Sequence, residues 1–149
     1  MVSDMKEIGS EEVSGLYDCL AELSKHHNRV SVNFKGCYPK QPFEETLTRF
    51  SSDIDHGTSS IAVIEAEDRI AGFCKINYGS TAGALEYLIV SEEYRGKGYG
   101  AQLMEWALNR FEALGIHDID VKVADGNDAV FFYEKYGFKM NAHILRLSR

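Results

Sequence analysis

The chain has little of what would break it into parts. Two prolines in 149 residues and no low-complexity run leave no linker or extended tail. That length suits a single domain spanning 1–149. No window approaches the ~18 apolar residues of a membrane span, and Met1-Val2-Ser3-Asp4 has neither the basic nor the apolar run of a secretory leader. The cysteines, Cys19, Cys37 and Cys74, are odd in number and widely spaced, which suits neither a disulfide framework nor a zinc knuckle. A reducing cytoplasm and no resident metal are therefore expected, and no membrane partner. Basic residues are also in short supply, 16 Lys and Arg against 23 Asp and Glu. The net charge of −7 argues against a nucleic-acid partner and, at long range, mildly favours a cationic one. Acidity of this size equally serves solubility alone.

What is present is an ordinary apolar fraction of 44% arranged with clear periods. Met5 to Ile8 reads as a short strand. Ser10 stands as an N-cap before Glu11 and Glu12, and Val13, Leu16, Tyr17, Leu20 and Leu23 recur at helical spacing. Asn28 to Lys40 is irregular. A second helix begins at Pro42, carries Phe43, Leu47, Phe50 and Ile54 on one face, and stops at Gly57. Ser60–Glu65 and Ile70–Tyr78 then alternate as an antiparallel hairpin, and Ala84–Val90 is a strand apolar on both faces except at Glu86. Gly98 to Leu114 is a long amphipathic helix ended by Gly115. A strand over Ile119–Val123, a short helix over Asp128–Tyr136 and strands over Phe138–Met140 and Ile144–Leu147 follow. The order β-α-α-β-β-β-α-β-α-β-β predicts a mixed α/β fold.

The most informative stretch joins the strand ending at Val90 to the long helix: Arg95-Gly96-Lys97-Gly98-Tyr99-Gly100-Ala101. Glycines let an anion approach the backbone, and the free N–H groups of the first helical turn, with the helix dipole, Arg95 and Lys97, favour that anion. A nucleotide P-loop would need Lys-Ser or Lys-Thr after the glycines, which is missing. Gly96, Gly98 and Ala101 satisfy the G-x-G-x-x-A dinucleotide fingerprint, with Asp120 near its acidic position. That fingerprint, however, belongs to a first strand–helix unit, and here three strands and two helices precede it. A plain glycine-containing loop is the bland alternative.

Arg95-x-x-Gly98-x-Gly100 resembles the R/Q-x-x-G-x-G/A motif of the GNAT N-acetyltransferase superfamily. Downstream, Asn127 followed by Phe131-Phe132-Tyr133-Glu134-Lys135-Tyr136-Gly137-Phe138 is similar to that family's N-x-x-A-x-x-F-Y-x-x-x-G-F segment, with the alanine one residue early at Ala129. The resemblance covers nearly the whole chain and is least specific over 28–56. It implies a mixed, mostly antiparallel central sheet of about six to seven strands flanked by about four helices. It also implies acetyl-CoA as co-substrate and direct transfer of acetyl to a primary amine of a small molecule or peptide. A degenerate acyl-CoA-binding sensor or regulatory protein is the alternative on the same fold.

The resemblance places the pyrophosphate on the amides of Arg95, Gly96, Lys97, Gly98, Tyr99, Gly100 and Ala101. The pantetheine arm is placed along Leu88, Ile89 and Val90, where members commonly carry a bulge and where a backbone N–H can polarise the thioester. Tyr133 matches the tyrosine beside the coenzyme sulfur, suited to protonating the leaving thiolate; packing on the sheet is the other reading. Asn127 matches a pantetheine contact and equally suits a helix cap. A lysine-like amine is neutral in only about one molecule in two thousand at pH 7, so a base is expected. Glu86 is the candidate, with an ion pair to a lysine as the alternative. His26 and His27 are further candidates; with Phe34 and Tyr38 they are expected to line the acceptor pocket, beside Glu44 and Glu45. Cys37 lacks an activating neighbour for nucleophilic chemistry. The closing strands in such proteins often contribute to homodimers.

Overall fold

The period-two runs of the central third form three consecutive antiparallel strands, β2 (Ser59–Ala66), β3 (Arg69–Tyr78) and β4 (Ala82–Val90), in the computed structural model, which describes residues 4–149. The leader reading made at Met1 to Ser3 falls on residues outside this range. β1 (Asp4–Ile8) pairs antiparallel with β2, and β5 (Asp118–Val121) pairs parallel with β4, giving one sheet in the order β1-β2-β3-β4-β5. The parallel pair needs a crossover, which α3 (Tyr99–Ala113) supplies.

Helices cover both faces. On one lie a 3-10 segment (Ser10–Leu16), α1 (Tyr17–Val30) and α2 (Phe43–Asp55), around a core of Leu16, Leu20, Phe50, Ile61, Val63, Phe73 and Ile89. Phe50 meets Tyr87 edge-on at 5.1 Å between ring centroids and Tyr87 stacks on Phe73 at 5.8 Å. On the other face, α3 and α4 (Ala129–Glu134) bury Leu103, Met104, Ala107, Phe111 and Tyr133 against Ala62, Ile64, Cys74, Ile76 and Leu85. Alternate residues of β2 and β3 therefore divide between two cores.

The mixed, mostly antiparallel sheet with four helices agrees with the expected GNAT-type architecture, with five strands rather than six or seven. The expected strands over Phe138–Met140 and Ile144–Leu147 do not form. Ile144, Leu145 and Leu147 remain 68%, 93% and 78% exposed, so these runs gain neither a ladder partner nor apolar cover. The first helix opens as 3-10 turns behind Gly9, not Ser10, and becomes α-helical only at Tyr17.

Candidate active site

β4 and β5 pair only from Ala82↔Asp118 to Leu85↔Val121. Beyond that the strands part, and among the described residues no strand lies beside the edge of β4 from Glu86 to Val90 on the β5 side. The parting begins at a bulge. Lys75 faces Tyr87 while Ile76 faces Leu85, so Glu86 is the extra residue on β4. The bulge expected at Leu88–Val90 is thus found two residues earlier, because Glu86 and Tyr87 both turn toward α2. Leu88, Val90, Val121, Val123, Ala129 and Phe132 pack half-buried on the α3/α4 core beside this gap.

The open edge leads through Glu92–Tyr94, a single 3-10 turn, to the start of α3. Gly96 and Gly98 have φ of +81° and +82°, and a Cβ built on either would meet nothing within 4 Å. These two glycines are required by backbone conformation and look onto open space. Gly98 is the N-cap, no side chain caps the helix, and its first turn contains no acid, whereas α1 and α2 begin with Asp18 and with Glu44 and Glu45. The N–H groups of Tyr99, Gly100 and Ala101 therefore have no helical acceptor and are available to an anion. Arg95 does not reach into that space; its Nε donates to the Val90 carbonyl at 3.1 Å and braces the turn. Lys97 is exposed at the rim.

Tyr133 is 7% exposed, its ring between Phe132 and Phe138 at 5.5 and 5.7 Å. Among the described residues no hydrogen bond reaches its hydroxyl, yet no sealed polar side-chain atom is unpartnered, so the hydroxyl opens onto accessible space. Burial, with a smaller contribution from Cys74, pushes its pKa up to about 12. Burial likewise raises the Cys74 thiol.

On the opposite face Glu86 enters a four-charge cluster. Fully buried Lys75 bonds Glu86 Oε1, Asp53 at 2.9 Å and Asn77 at 2.7 Å, while Arg49 reaches Glu86 Oε2 at 2.8 Å and Asp53 at 3.4 Å. Asn77 Nδ2 and Arg49 also donate to Oε1, at 3.2 and 3.1 Å. Oε1 is saturated; Oε2 has the one partner, and the side chain keeps 25% exposure. Lys75, Arg49 and Asp53 were missed from sequence. The one legible signal was a lysine inside an otherwise apolar stretch of β3.

A second feature clasps two loops together. Asp125 accepts from Ser31 Oγ at 2.7 Å and from the Val32 and Asn33 amides at 2.7 and 2.9 Å, tying the turn after α1 to the loop after β5. These donors, Asn33 first and Ser31 next, hold its carboxyl below the usual range. Beside it His26 Nε2 meets Asn127 Oδ1 at 3.4 Å, while Arg29 donates to His26 Nδ1 at 3.1 Å. Nε2 must then carry the proton. Asn127 Oδ1 also accepts from the Ala129 amide at 3.0 Å, one residue outside the N-cap Asp128, and among the described residues no protein group bonds its amide nitrogen. His27 packs on Tyr38 at 4.9 Å; burial, then His26 and Lys40, lower its pKa. Asn28 pins Tyr38 by bonding both its carbonyl (2.8 Å) and its amide (2.9 Å). The four residues expected to line an acceptor pocket thus divide: His27 and Tyr38 together, His26 toward Asn127, and Phe34 in the turn closed by Cys37 N to Phe34 O at 3.1 Å.

Comparison with known proteins places this arrangement. The acetyltransferase SG1711 of Sodalis glossinidius (strain morsitans) is 27% identical over 121 residues, 80% of this chain and 85% of that one. The PaiA N-acetyltransferase of Thermoplasma acidophilum, solved with coenzyme A, shares the fold with a TM-score of 0.79 at 20% identity, over 95% of this chain and 92% of that one. A predicted acetyltransferase of Clostridium acetobutylicum, solved with acetyl-CoA, gives 0.77 at 18% identity over 99% and 96%. The sequence profile of the acetyltransferase (GNAT) family matches residues 23–138, well over half of the chain, and the chain belongs to that family.

Proposed function

We propose that the chain is an acetyl-CoA-dependent N-acetyltransferase that delivers acetyl directly to a primary amine of a small molecule or peptide. The observation that carries this reading is the parting of β4 from β5, which leaves an unpaired strand edge running to the uncapped, acid-free start of α3. An extended amide-bearing arm ending in a pyrophosphate fits that path, and the open space over Gly96 and Gly98 leaves room for the phosphates.

Bound acetyl-CoA supplies an acetyl thioester open to attack by a neutral amine. The amides of Gly96 to Ala101 hold the phosphates; the edge of Leu88, Ile89 and Val90 and the free Asn127 amide nitrogen hold the arm. A β4 N–H at that edge polarises the carbonyl. Glu86 Oε2, the less occupied oxygen, takes the ammonium proton directly or through water. Tyr133 Oη stands on the other side of the gap as hydrogen-bond donor to the departing sulfur. A phenol pushed up to about 12 gives its proton to a thiolate of ordinary pKa about 8.5 only against ~5 kcal/mol. Its first contribution is therefore a hydrogen bond to developing charge, with transfer completed from bulk water.

The saturation of Glu86 Oε1 favours a second reading, a chain that binds acyl-CoA without turning it over. A panel of amines incubated with acetyl-CoA and read by free-thiol release separates the two. Thiol release that depends on the amine is expected. Tight acetyl-CoA binding with no release beyond hydrolysis for any amine would favour the sensor.

A further inference from the structure

We infer that the amine acceptor is a small molecule bearing an oxyanion, a carboxylate or a phosphate, held by the turn between α1 and α2; this rests on the acetyltransferase reading. In an acidic protein that turn has the opposite sign. From Leu23 to Phe43 there are Lys25, Arg29, Lys35 and Lys40 and no Asp or Glu. Residues 135–149 add Lys135, Lys139, Arg146 and Arg149, again without an acid. Half of the chain's 16 Lys and Arg lie in these two segments.

One residue of the second segment acts on the first. Arg146 acts electrostatically on the Tyr38 hydroxyl, and Lys40 lies 5.3 Å from the Tyr38 ring centroid. The turn is held in place by Asn28 and by Asp125, and α1 reaches Asn127 through His26. None of Lys25, Arg29, Lys35 and Lys40 forms an ion pair among the described residues, whereas Lys6, Arg49, Arg69, Lys75 and Arg110 all do.

The carboxylates nearby are already engaged. Asp53 and Glu86 are neutralised by Lys75 and Arg49, and Asp125 is taken up by three donors. Glu44 and Glu45 are exposed in the first turn of α2, offsetting its dipole. A polycation approaching here would meet four exposed cations without ion-pair partners, and Glu44 and Glu45 at the start of α2 as the carboxylates not already bonded. The site thus reverses the preference for cations suggested by net charge alone, because a pocket answers to local charge while a distant partner answers to the sum.

The test compares ethanolamine, β-alanine, phosphoethanolamine and 1,3-diaminopropane at equal concentrations of neutral amine. Expected is a kcat/KM for β-alanine or phosphoethanolamine at least about tenfold above the other two, shrinking as salt rises from about 50 to 500 mM; which of the two leads separates carboxylate from phosphate. The exposed double reversal Lys35→Glu with Lys40→Glu should collapse or invert that preference while acetyl-CoA affinity stays unchanged. Preference for the diamine, or a double variant with an unaltered ratio, overturns the inference and leaves the acetyltransferase reading standing. A double variant that alters only coenzyme affinity overturns it too, assigning the charges to the coenzyme. Thiol release no faster with any amine than without one sinks both.

Discussion

Tyr133 combines a buried ring with a hydroxyl that no group among the described residues satisfies, a combination that costs little only if the hydroxyl keeps access to solvent or to a ligand. Two expectations follow for Tyr133→Phe. Turnover should fall by about 10²-fold with coenzyme affinity within about twofold, since the lost atom acts on charge that develops during transfer; unchanged turnover would assign Tyr133 to packing. The raised pKa has a stability consequence as well. With the folded value about 12 and the unfolded one about 10, the contribution is complete below pH 10 and is lost as pH climbs toward 12. Urea midpoints measured at pH 9 and 11 should therefore differ less in Tyr133→Phe than in the wild type. Part of the alkaline loss will remain, because Cys19, raised to about 11 by burial, and Cys74 act in the same direction from a lower starting pKa. Lys75 is the other residue whose role depends on burial. Removing it would leave Asp53 and Glu86 with Arg49 as their one shared cation and Asn77 as a further donor to Glu86, costing less than the ~3–5 kcal/mol of a fully buried pair because both carboxylates keep contact with solvent.

Among the elements, the clasp between the turn after α1 and the loop after β5 links the side proposed for the acceptor to the side proposed for the coenzyme. Backbones come so close there that a Cβ on Gly126, whose φ is +77°, would lie 2.0 Å from the Val30 carbonyl oxygen. Gly126→Ala must push the loops apart, costing about 1–3 kcal/mol in strain. It should raise KM for the acceptor by more than it weakens coenzyme binding, because the phosphate-facing start of α3 is untouched. Equal effects on both, measured by initial rates and by coenzyme titration, would show that the clasp does not act on the acceptor side. Asp125 sets the acid limit of the clasp. Its depressed pKa means the bonds to Val32 and Asn33 are fully present above the ordinary carboxylate range and are lost as pH falls through the lowered value.

For the whole molecule, the two cores lie on opposite faces of one sheet, and the β4–β5 pairing that separates them ends at Leu85↔Val121. The proposed coenzyme approaches from the α3/α4 face and the amine from the α1/α2 face. A ligand that bridges the gap binds only the folded chain. Acetyl-CoA at 100 times its Kd should therefore add about 2.7 kcal/mol, raising Tm by roughly 5–10 °C in a chain of this size. NAD should not, since the glycine turn follows the fourth strand and not the first. A thermal shift with NAD and none with acetyl-CoA would defeat the coenzyme assignment.

Much of this was legible in the residues themselves. The turn at Arg95–Gly100, the start of α3, the β2–β3 hairpin and the placing of Tyr133 on a short helix all rest on local preferences: glycine at positive φ, alternation in strands, a helical period. Tertiary structure decided the remainder. Nothing local ties Asp125 to Ser31, 94 positions earlier, and Glu86 left a base and an ion pair to a lysine both open until Lys75 and Arg49 closed on it. The expected C-terminal strands had the right alternation and no neighbour to pair with. Local conformational energy is written residue by residue, whereas the partner of a charge or a strand edge is chosen only when the whole chain has folded around it.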